Sequence, residues 1–93
     1  MFIVIHNPVL ETPGAAVNLM KLQFGEPWFA NCDPDIGESL ETWWPKATKN
    51  FEFNHPGKQL VAALVTPMMA SADMVAFLKS KGIKVFVCDV KEV

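Results

Sequence analysis

The stretch LVAALV at residues 60–65 is apolar at every position, with no alternation between apolar and polar side chains. A short, uninterrupted apolar run is typical of a strand that is covered on both faces, as in the middle of a parallel sheet. Two further segments, MFIVI at 1–5 and VFVC at 85–88, have the same character. Together the three runs predict the buried centre of a parallel sheet.

The N-terminal third of the chain predicts one helix and one edge strand. Thr12 offers an N-cap to Pro13 at the first helical position, and Gly25 follows the apolar positions as a stop. These signals predict a helix near 13–24. The next segment, PWFAN at 27–31, is short and begins with a proline, which suits a strand at the edge of a sheet.

The stretch FANCDPDIGE at 29–38 is interpreted as the start of a second helix. Asp33 followed by Pro34 repeats the pattern of a cap and a proline, and Pro45 ends the segment. We therefore expect this helix near 34–44.

The C-terminal half predicts a third helix and an extra short strand. Ser71 caps a helix near 72–81, which a Gly-Ile pair ends. Phe51 and Phe53 alternate with a glutamate ahead of a His-Pro-Gly-Lys turn. That alternation predicts a short strand near 51–53, paired with the run that follows it.

The resulting order of elements is strand, helix, strand, helix, strand, helix, strand. It predicts a single α/β domain over 1–93, with a mainly parallel four-stranded sheet in two or three layers. Right-handed crossovers restrict the sheet order, and we expect 2-1-3-4. That order is the one of a truncated flavodoxin-like sheet, which is an analogy of fold only.

Two cysteine–aspartate pairs follow the outer strands, Cys32-Asp33 and Cys88-Asp89. In the order 2-1-3-4 these pairs lie about 14 Å apart, which is too far for a disulfide or a shared metal ion. Neighbouring strands would instead allow a mixed thiolate and carboxylate metal site. We expect separate helix caps, no metal and no cofactor.

The composition favours a protein partner over a nucleic acid. All eight basic residues are lysines, and the formal net charge is −2. Lysine does not replace the forked hydrogen bonds by which arginine recognises phosphates and guanine edges. The apolar fraction of 51% and charged fraction of 19% compare with averages of ~45–50% and ~25%. This surplus of apolar residues predicts an interface, and hence a homo-oligomer.

We expect a cytoplasmic protein without a membrane segment. The N-terminal run at 1–5 lacks a preceding basic region and ends at His6, unlike a signal peptide. The longest apolar stretch, 60–72, is interrupted by Thr66 and Pro67 and is shorter than the ~18 residues of a membrane span. The two cysteines are expected to be reduced thiols.

The carboxyl edge of the predicted sheet is the candidate ligand site. Ligands of open parallel sheets bind where the strand order reverses, which here lies between strands 1 and 3. Helix amino ends offer unpaired N–H groups there, so a small anion is the expected ligand. The candidate residues are His6, Asn7, Thr12, Gly14, Thr66 and Ser71.

The candidate interface is the aromatic and lysine-rich region around the predicted end of the second helix. Adjacent tryptophans on a helix point about 100° apart, so one of Trp43 and Trp44 is expected in the core and the other near the surface. Exposed tryptophan is enriched in interface hot spots. The candidate residues are Trp43, Trp44, Lys46, Lys49, Phe51 and Phe53.

No enzymatic fingerprint of the nucleotide-binding, hydrolase, redox or metalloprotease type is present in the sequence. We therefore expect a non-enzymatic protein–protein interaction module that self-associates and acts as an inhibitor or adaptor of a larger partner. Accessory proteins of phages and mobile elements are often small acidic chains of this kind, which is an analogy only. The alternative is a ligand-binding or enzymatic domain that holds an anionic metabolite or nucleotide at the carboxyl edge.

Overall fold

The computed structural model describes residues 1–6, 13–30, 37–87 and 91–92. Within these ranges strands and helices alternate up to the fourth strand, as the apolar runs predict. The strands are β1 (Phe2–Ile5), β2 (Pro27–Phe29), β3 (Ala62–Val65), β4 (Lys84–Val87) and β5 (Lys91–Glu92). The helices are α1 (Gly14–Phe24), α2 (Leu40–Asn54) and α3 (Ala72–Ser80).

The strands form a sheet in the order β2-β1-β3-β4-β5. The first four are parallel, with Ile3 of β1 beside Ala63 of β3, and Ala63 beside Val85 of β4. The predicted α/β class and the order 2-1-3-4 are confirmed. The short β5 pairs antiparallel with β4, and it escapes prediction because a Lys-Glu pair carries no apolar pattern.

The two faces of the sheet are covered by different helices. Successive strand residues point to opposite faces, so Ile3 and Ile5 lie on one face and Phe2 and Val4 on the other. The first face packs against buried residues of α2 and α3, and the second against those of α1. The described residues therefore form three layers, and β1 and β3 are buried on both faces.

Helix α2 differs from both predictions made for its part of the chain. The second helix forms, but the bounds predicted for it, near 34–44, are wrong. Helix α2 begins at Leu40, where the Ser39 hydroxyl accepts a hydrogen bond from the Thr42 N–H at 3.2 Å, and it continues to Asn54. The proposed cap at Asp33 lies outside the described residues. The strand predicted near 51–53 is also wrong, since these residues form the last turn of α2.

Burial of one side of α2 explains why the helix continues through Pro45. Trp43, Ala47 and Phe51 are spaced four residues apart, so they share one helix face, and all three are buried against the sheet. Proline in a helix interior costs ~3 kcal/mol. Burial of large aromatic side chains such as Trp43 and Phe51 gains as much or more. The carbonyl of Glu41, which loses its N–H partner, belongs to an exposed residue.

The third helix follows its prediction closely. The Ser71 hydroxyl accepts a hydrogen bond from the Met74 N–H at 3.0 Å, which caps the helix. At the other end Gly82 has a φ of 77°, a conformation that favours glycine. The Ile83 N–H donates to the Leu78 carbonyl at 3.2 Å and closes the end.

Helix α1 begins one residue later than predicted. Pro13 occupies its cap position and makes no side-chain capping bond, while Thr12 lies outside the described residues. No helix in the described ranges has the length and apolar character needed to cross a membrane.

Candidate functional site

The carboxyl edge brings the ends of β1 and β3 together, as the topology predicts. Both the N–H and the hydroxyl of Thr66 donate to the Ile5 carbonyl, at 3.0 and 3.3 Å. Thr66 is buried. Its hydroxyl therefore extends the ladder between the two strands, which is a structural role.

His6 lies beside this pair at the end of β1. Its ring contacts Phe29 edge-on, with 5.7 Å between ring centroids. The Nδ1 atom is buried and has no hydrogen-bond partner among the described residues. A buried ring nitrogen in this position needs a partner to offset its desolvation, so His6 is the feature of this edge that the fold leaves unexplained.

The other predicted ligand residues do not add a binding group to His6. The Ser71 hydroxyl is engaged by the Met74 N–H as a helix cap. Gly14 is the exposed first residue of α1. Asn7 and Thr12 lie outside the described residues.

The predicted interface residues divide between the core and the surface. Trp43 and Phe51, with 0% and 3% of their surface exposed, belong to the core, so as interface residues they require correction. Trp44 is half-buried and packs edge-on against Phe77, with 6.1 Å between ring centroids. Phe53 is 85% exposed, because it lies two residues, or about 200°, around the helix from Phe51.

The predicted interface lysines lie on the outward side of α2. Lys46 forms an ion pair with Glu38, and Lys49 is exposed. Ion pairs of exposed lysines contribute little to stability. The outward side of α2 thus carries lysines and one strongly exposed aromatic residue, Phe53.

Helix α1 carries an apolar surface that is not among the interface residues predicted from the sequence. Val17 and Met20 are buried against the sheet, whereas Leu19 and Leu22 are 56% and 86% exposed. With Ala15, which is also exposed, the two leucines follow a spacing of four and three residues and share one face of the helix. We call Ala15, Leu19 and Leu22 the outer stripe.

The described residues do not assemble a metal site. No group of three or more histidine, cysteine, aspartate or glutamate side chains within them is placed to hold a metal ion. Cys32 and Cys88 lie outside the described residues. Strands β2 and β4, which precede these cysteines, are separated by β1 and β3.

The described surface thus presents an apolar helix face on one side of the sheet and a lone histidine at the carboxyl edge. The first feature is defined by the solvent exposure of its leucines, and the second by a buried ring nitrogen without a hydrogen-bond partner among the described residues. The chain matches no protein-family model, no curated protein and no solved structure.

Proposed function

We propose that this chain is a non-enzymatic protein-interaction module that self-associates through the outer stripe of α1. The observation that carries the proposal is that α1 is apolar on two opposite sides. Val17 and Met20 already cover the sheet, and Leu19 and Leu22 remain exposed to solvent. Burying these leucines in a contact would remove apolar surface from water, which stabilises the contact by ~25 cal/mol for each Å² buried.

A second copy of the same helix suits the charge of this surface. Lys21 is the one charged residue among the eleven of α1, and it lies about 100° around the helix from Leu22. Two copies related by a two-fold axis would therefore place leucines against leucines without burying a charge. The spacing of four and three residues in the outer stripe is the spacing of a coiled-coil seam.

The contact we propose is small. An eleven-residue helix is about 16 Å long, and its stripe offers less than the ~800 Å² that each partner buries in a standard interface. We therefore expect a dissociation constant on the order of micromolar or weaker. Because the contact is apolar, raising the salt concentration should not dissociate the dimer.

The proposal is tested by two glutamate substitutions at equally exposed positions. Leu22, at 86% exposure, lies in the outer stripe, and Phe53, at 85%, lies on α2. Sedimentation equilibrium at millimolar protein concentration should show that the wild type and Phe53→Glu exceed the mass of the 10.3 kDa monomer, while Leu22→Glu has the monomer mass. The reverse outcome would move the interface to the 43–58 region, and a wild-type protein that is monomeric at millimolar concentration would refute self-association.

A second candidate function is binding of a small anion at the carboxyl edge. It is favoured by the buried His6 Nδ1 atom, which has no partner among the described residues. Titration with inorganic phosphate, followed by NMR through the backbone amide resonances of Ile5 and Thr66 at the same edge, tests it. A saturable shift that Thr66→Ser preserves and His6→Phe abolishes would support this function, and unchanged resonances would remove it.

A further inference from the structure

A groove of about 260 Å³ lies where the later turns of α2 and the end of α3 meet the segment that enters β3. Its apolar walls include Trp44 of α2, Leu60 of that segment and Ile83, which follows α3. Two lysines, Lys58 and Lys81, also line it. The groove is on the α2 and α3 side of the sheet, away from the outer stripe of α1.

Phe77 of α3 holds two elements of this groove in place. The Trp44 ring packs edge-on against Phe77, with 6.1 Å between centroids. The ammonium of Lys81 lies over the same Phe77 ring, 5.2 Å from its centroid. This cation–π contact holds the Lys81 ammonium at the Phe77 ring, which also contacts Trp44.

The other lysine is positioned by a turn. The Lys58 N–H donates to the His55 carbonyl at 3.1 Å, and Gly57 between them has a φ of 79°. Glycine adopts that backbone conformation without the steric cost that other residues incur. The backbone of Lys58 is therefore fixed at the rim, and the charged residues that line the groove are two lysines and one glutamate, Glu52.

We infer that this groove binds a small aromatic monocarboxylate, with its ring against Trp44 and its carboxylate between Lys58 and Lys81. An indole wall favours a flat apolar body, and the excess of positive charge favours an anion over a neutral or cationic ligand. The volume is below the ~300–1,000 Å³ of pockets for drug-sized ligands. The ligand therefore has roughly ten non-hydrogen atoms, and its dissociation constant is on the order of millimolar.

Phenylacetate is the probe, and phenylacetamide is its neutral counterpart of the same shape. An NMR titration of the wild-type protein should show a saturable shift of the Trp44 indole N–H with phenylacetate and a much smaller one with phenylacetamide. Replacing both lysines, in Lys58→Gln/Lys81→Gln, should weaken phenylacetate binding roughly fivefold to tenfold. These lysines are exposed, so the variant should keep the dispersed spectrum of the folded protein.

The matched control is Lys49→Gln, which removes an exposed lysine of α2 that does not line the groove. It should bind phenylacetate as the wild type does, and so should Leu22→Glu, because the inference is independent of self-association. The inference is overturned if the Trp44 resonance shows no saturable shift. It is also overturned if phenylacetamide binds equally well, or if Lys49→Gln weakens binding as much as the double variant.

Discussion

Helices α1 and α2 lie on opposite faces of the sheet and use their apolar residues differently. Helix α2 buries its large aromatic residues Trp43 and Phe51 completely and turns polar residues outward. Helix α1 is shorter, buries Val17 and Met20, and leaves leucines exposed on its outer side. Among the large apolar side chains that the described residues expose, two therefore lie together on α1, whereas α2 exposes Phe53.

This difference shows that aromatic residues alone do not mark an interface. Trp43 is the largest fully buried side chain among the described residues, and it anchors α2 to the sheet. Leu19 and Leu22 lie on the side of α1 that faces away from the sheet, so they do not anchor their helix in this way. The two regions differ in whether a side chain lies on the sheet side or the solvent side of its helix, more than in the size of the side chain.

The largest effect is expected for removal of the α2 anchor. Trp43→Ala deletes a side chain that is 0% exposed, so the free energy of unfolding should fall by about 3–5 kcal/mol. Urea denaturation followed by far-UV circular dichroism measures it. A loss below about 1 kcal/mol would mean that α2 is not anchored as described, and the comparison with α1 would fail.

Replacing the proline inside α2 should act in the opposite direction. Pro45→Ala restores an N–H that can donate to the Glu41 carbonyl and relieves the cost of an interior proline, ~3 kcal/mol. Part of this gain is lost because alanine makes the unfolded chain more flexible. We expect a net stabilisation of about 2 kcal/mol in the same urea experiment. A destabilised variant would show that α2 requires the proline.

The structural role assigned to Thr66 predicts a smaller loss. Thr66→Val keeps the shape of the side chain but removes the hydroxyl that donates to the Ile5 carbonyl, which should cost about 1–2 kcal/mol. Ser71→Ala, which removes the cap of α3, should cost about 1 kcal/mol. Thermal unfolding of both variants provides the check. An unchanged midpoint for Thr66→Val would return its hydroxyl to the set of candidate ligand groups.

The smallest effect on stability is expected in the outer stripe. Leu22→Glu changes an exposed side chain to another good helix former, so the free energy of unfolding of the monomer should change by less than about 0.5 kcal/mol. Urea denaturation at a concentration that keeps both proteins monomeric measures this. A loss above about 1 kcal/mol would mean that Leu22 packs within its own chain, which would erase the contrast with α2.

The parts of the fold that were predictable from sequence are those in which burial dictates residue type. The runs at 1–5, 60–65 and 85–88 are continuous because parallel strands in the middle layer are covered on both faces. Helix α3 was predictable because Ser71 and Gly82 mark its two ends. The sheet order followed from these elements and the handedness of crossovers.

Helix α2 was not predictable by the same signals because two of them conflicted with packing. Pro45 suggested a helix end, and the alternation at 51–53 suggested a strand, while the spacing of Trp43, Ala47 and Phe51 supports the helix that forms. Tertiary burial outweighs the local proline cost there. At the carboxyl edge the predicted topology places His6 and Thr66 at the ends of neighbouring strands, as observed. The hydrogen bond from the Thr66 hydroxyl to the Ile5 carbonyl joins residues far apart in sequence, and no local pattern indicates it.

The most direct test of self-association through α1 is a dilution series of amide NMR spectra of the wild-type protein. We predict that on dilution from millimolar to micromolar concentration the amide resonances of Ala15, Leu19 and Leu22 shift together. Those around Phe53 should stay in place. Resonances that are independent of concentration, or shifts confined to the 43–58 region, would contradict self-association through the outer stripe.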